Sequence, residues 1–305
     1  MVIVKQALES EPGDVTPEPF SVRTRVHEYG GAAYLVNDGV VFFSNFSDQR
    51  MYRQDPGEEP KPITSEADMR YADGCFDAIR NRIICVREDH ASGGEPVNLI
   101  VSIDAAGEAE QEVLFQGSDF CSNPRISPDG RTLCWLTWDH PNMPWDGTQL
   151  YSGRFNDNGK LGEAHLVAGS PTESIFQPEW SPDNVLHFVS DRNGWWNLWR
   201  SEKGQLWPLT SREGEFGKPQ WVFGSGTYSF ASDELIACSY TENDAWKIAM
   251  LHIPSKMLLA IETPYSEMGR GDFKVGDGKI VFIGGAPSLP ISVVQIDLAS
   301  SKWWE

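Results

Sequence analysis

The sequence predicts an all-β fold, a β-propeller of six full four-stranded blades preceded by an incomplete N-terminal half-blade, the remnant of a seven-bladed ring. Three observations carry this. A phrase recurs along the chain: an aromatic or apolar residue, a Ser-Pro-Asp-Gly or related turn, then a dense apolar run. The 305 residues include 28 Gly, 20 Pro and 12 Trp, a composition suited to short strands joined by tight turns. No long stretch shows helical periodicity with caps, and the best short candidate, Gln6 to Asp14, is broken by Pro12 and Gly13.

In chain order, VIVKQAL (from Val2) and DVTPEPF (from Asp14) read as the outer two strands of a blade whose inner two are missing. The repeats then begin at Glu28, Tyr71, Asn123, Gln177, Lys218 and Gly271, with turns near Asp38, Asn81, Asp129, Asp183, Ser225 and Asp277. Their spacing of roughly 40 to 55 residues is that of a propeller blade. The third unit resolves into PRIS, TLCWLTW, QLYSGRF and EAHLVAG, separated by PDGR, the long HPNMPWDGT segment and NDNGKLG. The fourth repeats the plan with VLHFVS, NLWRSE and LWPLT, and the last already holds four runs in GDFKVG, KIVFIGG, SVVQIDL and SKWWE. Residues 1–27 are thus expected to form partial blade strands and residues 28–305 the blades.

Charge and motif content narrow the chemistry. With 44 Asp and Glu against 25 Lys and Arg, the net charge of −19 excludes the basic footprint of a general nucleic-acid binder. The start carries no secretory signal pattern and no apolar run is long enough to span a bilayer, so a cytoplasmic protein without membrane contact is expected. Five separated cysteines, Cys75, Cys85, Cys121, Cys134 and Cys238, favour reduced thiols over a disulfide framework. The six histidines fall in no HxH or HxxxH spacing, so no metal or other cofactor is expected. No serine lies in Gly-x-Ser-x-Gly, the small-residue setting that exposes a nucleophile at a strand-to-helix turn; Ser225 in FGSGTYSF reads as a simple turn between strands. No catalytic residue is assigned.

RTRVHEYGG (Arg23 to Gly31), SPDGRTLCWLTWDHPNMPWDGTQLY (Ser127 to Tyr151) and FVSDRNGWWNLWR (Phe188 to Arg200) together resemble the N-terminal propeller of bacterial dipeptidyl aminopeptidase/acylaminoacyl-peptidase-type enzymes of the prolyl oligopeptidase family. The resemblance implies a propeller, open along a central channel, that covers a following α/β-hydrolase domain bearing a Ser-Asp-His triad. Such enzymes cleave short peptides, N-terminal residues or acylated residues. This sequence begins inside the first blade of that pattern and stops at SKWWE, where the hydrolase domain would start.

The expected role is therefore non-catalytic: to filter access and contribute a substrate rim for a hydrolase domain, with short peptides as possible ligands and a negative field favouring free amines. Glu28 and Tyr29 in HEYGG, Trp145 and Asp146 in MPWDG, and Trp195 and Trp196 in NGWWN are the rim or partner-facing candidates, because a carboxylate there can hold an amine and an aromatic can supply apolar area. The structural alternative is that the Trp pair packs between blades and Glu28 braces a turn. A second functional reading is a stand-alone TolB-like or WD-repeat-like propeller serving as an interaction platform for another protein. A propeller-only lactonase or glycosidase would need converging metal ligands or paired carboxylates, which no spacing selects.

Overall fold

Strict alternation along single strands builds the seams between sheets. In Thr132–Trp138, Leu133 and Trp135 point into one buried cluster with Ile84, Val86 and Ile100, while Cys134 and Leu136 point into another with Ile175, Leu186 and Phe188. Each apolar strand is therefore covered on both faces, which is why it reads as a continuous apolar run.

The computed structural model describes residues 1–7, 10–269, 273–300 and 302–304. Among these residues there is no helix, and six antiparallel blades follow one another in chain order. Blade 1 holds Tyr34–Asn37, Val40–Ser44, Met51–Gln54 and Lys61–Pro62; blade 2 holds Met69–Asp77, Arg82–Asp89, Val97–Asp104 and Glu112–Phe115. Blade 3 comprises Phe120–Ile126, Thr132–Trp138, Gln149–Arg154 and His165–Gly169, and blade 4 Ile175–Trp180, Leu186–Ser190, Asn197–Glu202 and Gln205–Pro208. Blade 5 is Tyr228–Phe230, Leu235–Glu242, Ala245–His252 and Met257–Ile261. In blade 6 the first strand is split into Glu267–Met268 and Lys274–Gly276, both paired with Lys279–Ala286, followed by Leu289–Asp297 and Trp303–Trp304. Of the last unit's expected runs, Gly271, Asp272, Ser301 and Glu305 lie outside the described residues, as do Leu8 and Glu9 of the N-terminal run.

Two expectations are corrected. The turn of the fifth unit falls at 231–234, not at Ser225, because Gly217, Pro219, Gly224 and Gly226 keep 217–226 out of the ladder and the first strand begins only at Tyr228. Among the described residues before blade 1 a partial sheet forms, its strands Val4–Lys5 and Gly13–Asp14 pairing with each other, but DVTPEPF leaves the ladder after Val15, whose N–H still donates to Ile3, since Pro17 and Pro19 have no donor. This small sheet lies against blade 1: Val22, Val41, Phe43 and Tyr52 form a cluster joined by Ile3, Val15 and Phe20. Phe42 points the other way, into the seam with blade 2, so the N-terminal strands occupy the face of blade 1 that looks away from blade 2.

The inner strands of blades 2, 3 and 4 each carry a bulge at the same place, between Ala72 and Cys75, Ser122 and Arg125, and Phe176 and Glu179. At each bulge one residue takes a left-handed conformation: Asp73 (φ 56°), Asn123 (φ 51°) and Gln177 (φ 47°). The side chains tie one blade to the next. The Asn123 N–H donates to Asp73 Oδ2 (2.7 Å) and the Thr227 N–H to Gln177 Oε1 (2.7 Å), while the Asp73 N–H donates to the Ala32 carbonyl (3.0 Å). Pro124 and Pro178 follow two of these residues, where a missing donor costs nothing in a broken ladder.

Candidate substrate rim

HEYGG is built on consecutive left-handed residues. His27 (φ 52°) and Glu28 (φ 63°) precede Gly30 and Gly31, and a Cβ on Gly31 would collide with the backbone of Phe223. That close approach is a pairing: the Phe223 N–H donates to the Gly30 carbonyl at 3.0 Å, and Gly31 and Phe223 form an isolated parallel bridge. The segment between blades 4 and 5 also reaches blade 3, where Gln220 Nε2 donates to Asn123 Oδ1 (2.9 Å) and Ser122 Oγ (3.1 Å). The ring is therefore bridged from blade 1 to blade 3 by residues 220–223, a contact that the expectation of an open central channel did not contain.

Around this bridge aromatic rings gather. Phe120 stacks on Trp138 (centroids 5.4 Å apart), His27 meets both edge-on and lies 4.7 Å from Phe223, and Trp221 contacts Tyr29 (5.9 Å) and Trp145 (4.3 Å). His27, Tyr29, Phe120, Trp138, Trp221 and Phe223 line a half-open cavity of about 220 Å³. Burial pushes the His27 imidazole down to about 4, against the raising effects of its hydrogen bond to Asn98 and of Asp73, so the ring is neutral at pH 7.

The sequence candidates separate into groups. Tyr29, 65% exposed, and Trp145 are brought together by Trp221. Glu28 precedes Tyr29 but does not line this cavity; its largely exposed carboxylate turns to Arg70 of blade 2, whose hydrogen bond (2.8 Å) chiefly holds it below the usual range. Asp146 is spent locally: its Oδ2 accepts the Met143 N–H at 2.9 Å and so braces the MPWDG turn. Trp195 is exposed and makes no ring contact to this cluster among the described residues. Trp196 corrects the rim reading. It packs against the seam between blades 4 and 5 beside Gly217, and its backbone N–H donates to Glu215 Oε2 at 2.8 Å.

Sequence reasoning did not single out His27, Phe120, Trp138, Trp221 or Phe223. A signal existed for the last two, since a Gly- and Pro-broken segment cannot be a strand and its aromatics need another partner. All five cysteines are free thiols, and burial pushes each upward, Cys75 and Cys238 to about 12, which leaves them poor nucleophiles. Among the described residues no three His, Cys, Asp or Glu side chains gather as a metal site, and no helix is long and apolar enough to cross a membrane.

No protein-family model and no curated protein matches the sequence. Solved structures do. Puromycin hydrolase is 30% identical with a TM-score of 0.91 over 99% of this chain and 49% of its own. A Mycobacterium tuberculosis puromycin-hydrolyzing peptidase is 32% identical with a TM-score of 0.88, over 96% of this chain and 48% of its own. This chain thus spans about half the length of those relatives. TolB from Acinetobacter baumannii, at 16% identity and a TM-score of 0.55, shares the fold alone. On sequence and fold together, the chain belongs with the N-terminal propellers of the prolyl oligopeptidase family, the kind carried by puromycin hydrolase.

Proposed function

We propose that this chain is the non-catalytic propeller of a prolyl-oligopeptidase-family aminopeptidase or acylaminoacyl-peptidase, gating access to a hydrolase domain and shaping the rim that holds the substrate. The observation that carries the reading is the near-complete match of this chain to half of a puromycin hydrolase. The rim residues Tyr29, Trp145 and Trp221 offer apolar contact area, and the charge of −19 attracts free amines. The bridge formed by Gln220 and Phe223 supports a gate that restricts passage along the axis.

The test is to incubate the purified chain with aminoacyl and acyl-aminoacyl p-nitroanilides. Release of nitroaniline should not exceed the buffer rate; release abolished by a serine-directed phosphonate would overturn the proposal. The platform reading draws on a different observation: Val281, Ile291 and Val293 form an exposed apolar stripe on blade 6, a surface suited to another chain.

A further inference from the structure

Buried apolar clusters join each blade to the next, from blade 1 through blade 6, the last seam being formed by Ala237 and Ile248 against Ile280, Phe282, Val294 and Ile296. Among the described residues none joins blade 6 back to blade 1. Strand alternation puts Val281, Ile291 and Val293 on the opposite face of blade 6, which looks into this open seam, and they are 38%, 73% and 65% exposed. On the other side, Tyr34 and Val36 of the inner strand of blade 1 alternate with Leu35, which packs toward blade 2, and both are more than half exposed.

The N-terminal sheet covers the second and third strands of this face and leaves the inner one bare. Ile3 joins Val41, Phe43 and Tyr52, so the alternating side chains of Val2 and Val4 turn away from blade 1. Their backbone is unpaired as well. The Ile3 carbonyl accepts the Val15 N–H (2.8 Å), which directs Ile3 and Lys5 to the Gly13–Asp14 strand and puts the N–H and C=O of Val2 and Val4 on the opposite edge. Along that edge runs a cleft of about 630 Å³, lined by residues 1–4, Tyr34 and Phe46. Its charged lining is Arg23, Arg25 and Glu28. Both arginines stack on Phe46, at 4.6 and 4.5 Å, and pair with no carboxylate among the described residues, whereas Glu28 is already held by Arg70. On a chain of net charge −19, this is an apolar slot with an uncompensated positive lining.

We infer that the open seam is a docking site for an extended strand of a partner protein, apolar on both faces and acidic at one end, which adds to the Val2–Val4 edge. One face of that strand covers Tyr34 and Val36, and the other looks toward Val281 and Val293, the double cover that the inner strands of the other blades have. Main-chain hydrogen bonds to the free edge supply affinity. Carboxylates meeting Arg23 and Arg25 select an acidic partner over a basic one. The inference deepens the platform reading by naming the chemistry of the partner, and it rests on that reading.

The probe is the fluorescein-labelled peptide TVYVTVED, amidated at its end and titrated into the intact chain while fluorescence anisotropy is read. Saturable binding in the micromolar range is expected. N-methylation of alternate peptide amides, which removes the donors of one edge, should abolish it on the unaltered chain. Val4→Pro deletes the outward N–H but none of the bonds to Gly13–Asp14, and should weaken binding roughly fivefold, the worth of one hydrogen bond. Reversing both charges with Arg23→Glu and Arg25→Glu, at exposed positions, should weaken TVYVTVED roughly tenfold and make TVYVTVKK the tighter ligand, with the circular dichroism spectrum unchanged. No saturable binding, binding that survives N-methylation, or a charge-reversed chain that still prefers TVYVTVED would each overturn the assignment. Val293→Asp separates this from the platform reading. Binding that is lost in Val293→Asp yet indifferent to Val4→Pro and to N-methylation would overturn strand addition while keeping the blade 6 surface as a platform.

Discussion

Arg125→Met is expected to destabilise the fold by about 3–5 kcal/mol, the cost of removing one partner from a buried charge network. Arg125 lies on the inner strand of blade 3, with Nη2 3.0 Å from Asp73 Oδ1 and Nε 3.3 Å from Glu179 Oε1, so it links the inner strands of blades 2, 3 and 4. Burial opposes its charge, but Asp73 and Glu179 outweigh that and raise its pKa further. Methionine fills the space yet strands the Asp73 carboxylate, which is 2% exposed and must still accept the Asn123 N–H. Adding Asp73→Asn keeps that acceptor and removes the buried charge, so the double variant should recover a large part of the loss. Urea unfolding of the two variants is the measurement. A cost under about 1 kcal/mol for Arg125→Met would place the pair among weak surface bridges.

The second large effect is acid lability. The imidazoles of His27 and His187 are each pushed down to about 4 from an ordinary value of 6.5, in both cases chiefly by burial. His187 is 1% exposed, with Nδ1 3.0 Å from the Val185 carbonyl. Between pH 6.5 and 4 the unfolded chain binds protons that the folded one refuses, so stability is fully present above pH 6.5 and lost as pH falls, levelling below about pH 4. Each histidine contributes at most about 1.4 kcal/mol per pH unit and less near its unfolded value, so lowering the pH from 6.5 to 5 should cost about 3 kcal/mol for the pair. Asp191 and Glu215, pushed upward mainly by burial, act in the opposite direction, so the histidine contribution is read from the difference between the unaltered chain and a His187 variant. Replacing His187 by Phe should roughly halve the slope of unfolding free energy against pH. An unchanged slope would mean that His187 takes up its proton in the native state.

Why these features differ in legibility follows from how local each one is. The blades were visible because a strand covered on both faces, such as Thr132–Trp138, must be apolar at nearly every position, and the Asp and Asn turns between strands mark its ends. The bulges at Asn123 and Gln177 were not read from the sequence, and only the structure shows Asp73 and Gln177 capping neighbouring blades. The aromatic cavity was not legible. It arises where the start of blade 1, the start of blade 3 and the segment before blade 5 converge, and no spacing within one repeat encodes that meeting. Trp195 and Trp196 show the same limit: adjacent in sequence, one faces solvent and the other fills the seam between blades 4 and 5.

The central claim, that this propeller gates a hydrolase domain without catalysing anything itself, is tested most directly by grafting. This chain would replace the matching half of puromycin hydrolase, where the backbones superpose with a TM-score of 0.91. Hydrolysis rates are then compared for an aminoacyl p-nitroanilide and for the same aminoacyl group at the head of a long, folded polypeptide. The account predicts that the graft cleaves the small substrate and spares the folded one. Equal cleavage of both, or a graft that folds yet cleaves neither, would contradict it.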